Sequence, residues 1–278
     1  MHTNLPTLTF LPVNDLVIHE RHDAQRTRPL IIRIRSSGVF RNPPIVSPLH
    51  DGSGRYMVLD GANRVTALKE MEFPHVLVQV VEPDDPGLNL QNWNHVVWEL
   101  KPQRFLSGIR EIAKIRLLPT HGETSEPNLE GDCNLALIIS CEGHSYTICT
   151  QADDLKTRVK LLNQIVDSYK ERSRLDRTSS RDVEKLAQVY PQLSGVVIFP
   201  PFEIQDVLRL AGEGYMLPSG ITRFTIAPRA LHVNYPLEEL RAGKSIEEKN
   251  AELHKWLQER LEKKKVRYYA EPTFLFDE

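Results

Sequence analysis

An apolar run, Tyr56-Met57-Val58-Leu59, passes without a break into Asp60-Gly61-Ala62-Asn63-Arg64, and then into a helical apolar spacing at Val65, Leu68 and Met71. This is a short buried strand, a tight Asp-Gly turn and a helix start. Few local sequences constrain a chain more. Such a turn aims free backbone N–H groups at one point, where an anion is stabilised. Gly61 supplies the bend and, having no Cβ, leaves room for a phosphate to approach. Asp60 is placed to hold a magnesium ion, and Arg64 to clamp phosphate oxygens. The same residues also fit a plain strand-to-helix turn, with Asp60 as a cap and Arg64 as a surface charge.

The chain around this turn has 278 residues, enough for one large domain or two ordinary ones. Its net charge of −2 argues against nucleic-acid binding by bulk charge. No apolar run approaches the roughly 20 residues a membrane span needs, and Met1–Val13 lacks the pattern of a signal peptide. Cys133, Cys141 and Cys149 are odd in number and suggest no disulfide framework, so a reducing cytoplasm is expected.

Ahead of the turn, residues 8–18 read as a strand, followed by the polar cluster His19-Glu20-Arg21-His22-Asp23. A helix is expected from about Pro29 to Ser37, stopped by Gly38. Six arginines fall between Arg21 and Arg41 and fit either a solvated face or a phosphate-facing one. His75–Val81 reads as a buried strand. Trp93 and Trp98 suit either packing or a site wall.

Beyond residue 101 the spacing predicts a loop at 119–132, a hairpin over 135–140 and 145–150, and helices at 151–172, after Ser180 and at 201–211. Between them, 195–199 reads as a buried strand. Cys141-x-x-His144 has no second pair at zinc-ligand spacing. The segment from Gly212 to Phe224 is rich in glycine and hydroxyls. It is either a ligand loop, oriented by Ser219, Thr222 and Arg223, or a surface turn. A strand is expected over Arg229–Tyr235, then a helix over Ser245–Lys265 with a Ser245/Glu248 capping box. Val266–Tyr269 and Phe274–Phe276 close the chain.

The first strand with its polar end, Pro44-Ile45-Val46, the 55–64 segment and the apolar strand at 76–81 together resemble the ParB/sulfiredoxin superfamily. Within it, the match is closest to the free serine kinases, through His19-Glu20, the Asp60-Gly61-x-x-Arg64 turn, the Trp93/Trp98 segment and Pro218-Ser219-Gly220-Ile221-Thr222-Arg223-Phe224. The turn departs from these relatives at Asn63, where histidine is common. Asparagine can hydrogen-bond a phosphate but cannot act there as an acid or base.

The resemblance implies an α+β chain, with a ParB/sulfiredoxin-like nucleotide-binding domain over 1–100 and a mixed α/β domain over 101–278. It implies phosphorylation of free L-serine by ATP or ADP with magnesium. Glu20 would be the catalytic base and Asp60 the metal ligand. Gly61, Ala62, Asn63, Arg64 and Thr66 would bind the nucleotide, with Arg64 also stabilising the transferring group. Trp98, Ser219, Thr222 and Arg223 would close over serine. The rival expectation is a ParB-like nucleotide-binding regulator of DNA; against it, the region after the first domain carries no recognition-helix pattern.

Overall fold

The computed structural model describes residues 5–21, 27–120, 126–127, 129 and 133–269. His22 and Asp23 of the polar cluster, much of the expected 119–132 loop, and Phe274–Phe276 lie outside the described residues. The architecture is α+β, built on two sheets.

The first sheet has five strands in the order Thr7–Pro12, His75–Val80, Ile45–Pro48, Tyr56–Asp60 and Leu16–Ile18. The expected strand at 8–18 is thus two strands, broken by a short 3-10 turn at Val13–Asp15. The strand Tyr56–Asp60 shows why period-2 patterning decides a sheet's two faces. Met57 and Leu59 pack into one hydrophobic core, while Val58 enters another on the opposite face, with Phe10, Val46, Val65 and Leu68. The helices Thr27–Ser37 and Ala62–Glu70 pack together beside this sheet. Arg28, Arg33 and Arg35 point outward from the first of them, as a solvated face would.

The second sheet has six strands in the order Arg174–Thr178, Asn94–Trp98, Leu193–Ile198, Asn134–Ser140, Ser145–Thr150 and Ile115–Pro119, all antiparallel. Every residue of Leu193–Ile198 is buried, as the continuous apolar run requires. The helix Leu155–Lys170 lays Val159, Leu162, Ile165 and Tyr169 into the same core that receives Met57 and Leu59. One core therefore runs across both sheets.

Sheet membership does not divide the chain at residue 100. Asn94–Trp98 belongs to the second sheet, and Leu88–Asn92 pairs with Thr222–Ile226. The C-terminal helix Ile246–Glu262 returns to the first unit, where Asn250 accepts the backbone N–H of Phe10 at 2.7 Å and Leu253 is buried. Its Ser245–Glu248 capping box forms. The strand expected over Arg229–Tyr235 is reduced to Tyr235–Pro236, paired with Val39–Phe40. Pro228 has no N–H to give a ladder, and His232 and Asn234 adopt positive φ of 52° and 51°. The ladder forms earlier instead, at Thr222–Ile226, which begins within the Gly212–Phe224 segment read as a loop or turn and runs two residues past it. No described helix is long and apolar enough to cross a membrane.

Candidate active site

Leu16–Ile18 runs parallel to Tyr56–Asp60 with Ile18 opposite Val58. Glu20 lies two residues beyond Ile18, and Asp60 two beyond Val58. Parallel register thus delivers both carboxylates to the same end of the sheet.

Glu20 is fixed by a segment 200 residues further along the chain. Arg21 donates its N–H to the Leu217 carbonyl at 3.0 Å, and Leu217 donates to the His19 carbonyl at 2.7 Å. The loop after Leu217 then curls around the side chain. Gly220 N–H donates to Glu20 Oε2 at 2.7 Å, while Ile221 and Thr222 N–H donate to Oε1 at 3.1 and 2.7 Å. The Thr222 hydroxyl donates to Oε1 as well. Gly220 has φ of +79°, a conformation open to glycine, and this lets successive N–H groups converge on one carboxylate.

Behind this nest, buried His19 donates Nδ1–H to the Val58 carbonyl at 2.7 Å and sets Nε2 2.9 Å from Thr222 Oγ1. Burial lowers the pKa of its imidazole, against the opposing charge of Glu20. Beneath the loop, His95 donates Nε2–H to the Gly220 carbonyl at 3.3 Å, and the Tyr169 hydroxyl donates to its Nδ1 at 2.9 Å. Burial pushes the His95 pKa down to about 3 and that of Tyr169 well up.

Asp60 has a different environment. Arg64 Nη2 donates to its Oδ2 at 3.0 Å, and Arg229 Nη2 donates to the same oxygen. Gly61, at φ +95°, starts the helix Ala62–Glu70; a Cβ there would lie 2.7 Å from Arg64 Nη2 and 3.0 Å from Pro44 Cα. Desolvation lowers the Arg64 pKa, with the charge of Asp60 opposing. Arg64 Nε, Asn63 Oδ1 and Thr66 Oγ1 are buried without a hydrogen-bond partner. Buried unpaired polar atoms are costly, and three of them crowd this helix start.

The donor set fits a magnesium ion that is bound with nucleotide. Magnesium typically takes one or two carboxylates and completes its shell with phosphate oxygens and water. Asp60 offers Oδ1, which has no protein partner among the described residues. The described residues hold no group of three or more metal-ligating side chains, so a metal held by protein alone is not what they fit.

Two chambers meet here. One, of about 570 Å³, is lined by the Asp60–Arg64 turn, His19, Arg229 and Phe224. The other, of about 580 Å³, is lined by Arg21, Lys170, Ser173 and Ser219. Glu20, Ala62, Asn63, Trp93 and Arg177 line both. Each volume suits a small ligand.

The structure brings Glu20, Asp60, Gly61, Ala62, Asn63, Arg64, Ser219, Thr222 and Arg223 to the walls of these chambers. Thr66 lies one turn deeper in the helix. Thr222 faces Glu20 and His19 with its hydroxyl, and Arg223 stacks on Trp93 at 4.4 Å. Trp98 lines neither chamber: its Nε1–H donates to Asp176 at 3.2 Å, and its ring lies against Tyr190 and Arg174. Trp93, tied by its N–H to the Ile221 carbonyl at 2.9 Å, is the tryptophan at the junction. Arg177 and Arg229 were not singled out by sequence reasoning. Arg229 fell within an expected strand, and Arg177 lies in a stretch without motif.

No family model matches the chain. The ATP-dependent L-serine kinase SbnI of Staphylococcus aureus is 25% identical over 281 residues, covering 98% of this chain and 97% of its own. An ATP-dependent L-serine kinase of Staphylothermus marinus is 34% identical over 83 residues, 30% of this chain and 32% of that protein. Among solved structures, a C-terminally truncated SbnI from Staphylococcus aureus superposes with a TM-score of 0.69 at 20% identity, covering 92% of this chain and 96% of that one. A free serine kinase in complex with AMP gives 0.69 at 14% identity, covering 86% and 98%. At these identities the structural likeness establishes the fold. The resemblance to the free serine kinases, read from the sequence, extends over nearly the whole chain.

Proposed function

We propose that this chain is a free L-serine kinase that transfers the γ-phosphoryl group of ATP to the serine hydroxyl. One observation carries the reading: two carboxylates are delivered to neighbouring chambers, Asp60 to the wall of one, held by two arginines at a helix start, and Glu20 to the junction of both, held in a nest of N–H groups.

The chamber at the Asp60–Arg64 turn takes the nucleotide. The N–H groups at the start of Ala62–Glu70 face the phosphates. Arg64 and Arg229, which meet at Asp60, supply positive charge to the negatively charged oxygens of the transferring group. Asp60 would hold magnesium, which neutralises phosphate charge when bound. The second chamber takes serine, and Glu20 lies between the two. As serine Oγ attacks the γ-phosphorus, its O–H bond breaks and Glu20 accepts the proton. The new P–O bond forms as the bond to the bridging oxygen breaks and ADP leaves. Phosphoryl transfer depends mainly on position and charge, so a base locked by its loop is the useful design. Ser219 and Trp93 line the serine chamber, and Arg223 stacks on Trp93 from the nucleotide side. The reaction belongs in the cytoplasm, where free thiols at Cys133, Cys141 and Cys149 are at home.

The regulator reading draws no support from the fold. After the first sheet, the described residues of 115–150 form strands rather than a helix-turn-helix. The test is ADP release by purified protein with Mg-ATP, with and without L-serine. Serine-dependent release is expected. Release unaffected by serine, alongside tight nucleotide binding, would discard the kinase.

A further inference from the structure

We propose that Arg177 recognises the α-carboxylate of the acceptor and so restricts the enzyme to free amino acids. The proposal rests on the kinase reading and adds to it the group that selects the substrate class.

Arg177 lies on the strand Arg174–Thr178, opposite His95, and lines both chambers. Its guanidinium packs across Gly220 so closely that a Cβ there would lie 2.8 Å from Cζ. Gly220 also donates its N–H to Glu20 Oε2 at 2.7 Å. The base and the guanidinium therefore flank one residue. In free serine, two carbon atoms separate the hydroxyl from the carboxylate carbon. A group that binds the carboxylate while the hydroxyl meets its base must stand about this near.

The other arginines around the site are engaged. Arg21 pairs with Asp167 at 2.8 Å, Arg64 and Arg229 hold Asp60, Arg174 pairs with Glu99 at 3.3 Å, and Arg223 stacks on Trp93. Arg177 makes no hydrogen bond or ion pair with another described residue, although it stands at the shared wall. A planar fork of donors suits a carboxylate, which it can bind through two parallel hydrogen bonds. A serine within a polypeptide carries a neutral amide at that place and forfeits the contact. The nucleotide phosphates already have Arg64, Arg229 and the helix start, so the second chamber is where an unpaired guanidinium has work left.

The test compares L-serine with L-serinamide, which lacks the negative charge, on wild type, Arg177→Met and Arg177→Lys. Arg177 is exposed on its strand, so the substitutions should leave the fold intact. Loss of a charge-assisted hydrogen bond should raise the KM for L-serine by about 10- to 100-fold. The KM for ATP should stay within about twofold, and the already poor use of serinamide should not change. Arg177→Lys should fall between. Equal losses on serine and serinamide, or a comparable rise in the KM for ATP, would overturn the assignment. Binding of the two ligands, followed by NMR titration without turnover, separates this claim from the kinase reading. A preference for serine that Arg177→Met abolishes sustains the carboxylate site even in an inactive protein. Absence of that preference in wild type refutes it.

Discussion

Glu20 and Asp60 are both carboxylates at the ends of neighbouring parallel strands, yet the chain holds them by opposite means. Asp60 is held by charged side chains, Arg64 and Arg229, on flexible stems. Glu20 is held mainly by backbone N–H groups, which cannot rotate away. Under the proposed function, a metal and phosphates would take over from the two arginines at Asp60, and the Glu20 end would keep its geometry while a proton moves. That reading divides binding and proton transfer between two adjacent strand ends.

Substitutions sharpen this contrast. Glu20→Gln keeps the shape and one acceptor oxygen, turns its NH2 towards the Gly220 N–H, and cannot take a proton. It should lower kcat by about 10²- to 10⁴-fold, the usual cost of losing a general base, with nucleotide affinity unchanged by calorimetry. A matching loss of nucleotide affinity would break the division of labour.

Thr222→Val removes the side-chain donor to Glu20. The lost contact loosens the position of the Glu20 carboxylate, and this misplacement should lower kcat by up to roughly tenfold. Steady-state kinetics should show little change in the KM for ATP.

Arg229→Met acts at the other end and should weaken Mg-ATP binding by roughly 3- to 10-fold, with a loss in kcat of similar size, because Arg229 also faces the charge that develops on the transferring group. Its pair with Asp60 is partly exposed, so the change in unfolding free energy should stay under about 1 kcal/mol in a denaturant titration.

The smallest effect concerns the support beneath the nest. His95 has a folded-state pKa of about 3, below the ordinary 6.5, because it is buried. The unfolded chain therefore binds more protons between those values, and the neutral imidazole's contribution is complete above about 6.5 and declines as pH falls towards 3. From pH 7.5 to 5.5 this group should cost about 1.4 kcal/mol of stability. His19, also shifted down by burial, adds in the same direction. Denaturant midpoints for wild type and His95→Gln across this range should converge on the acidic side. Parallel curves would remove His95 from the account.

The same contrast explains what the sequence disclosed. The Asp60–Arg64 turn is local: strand, bend and helix start are contiguous, and glycine's role at φ +95° follows from the Asp-Gly step. Glu20 was reached through resemblance, but its nest was not legible, because the donors come from 200 to 202 residues away. The segment from Gly212 to Phe224 read by composition as either a ligand loop or a surface turn. Three of its N–H groups and the Thr222 hydroxyl turn instead to a carboxylate within the chain. Trp98 and Trp93 are equivalent in sequence, and only the strand Asn94–Trp98, with Asp176 beside its far end, separates them. Arg177 sits on a strand of mostly polar residues that no periodicity marks, and that strand forms by pairing with Asn94–Trp98. Arg229 reaches Asp60 from an irregular segment held by Gln79, which accepts the Ala230 N–H at 2.9 Å.

The most direct measurement is phosphorus NMR of the purified protein with magnesium, L-serine and ATP, repeated with ADP as donor. A new phosphomonoester resonance that coincides with added O-phospho-L-serine, appearing with ATP and absent without serine, is the expected result. Nucleotide resonances that shift on binding while no phosphomonoester forms with either donor would contradict the account.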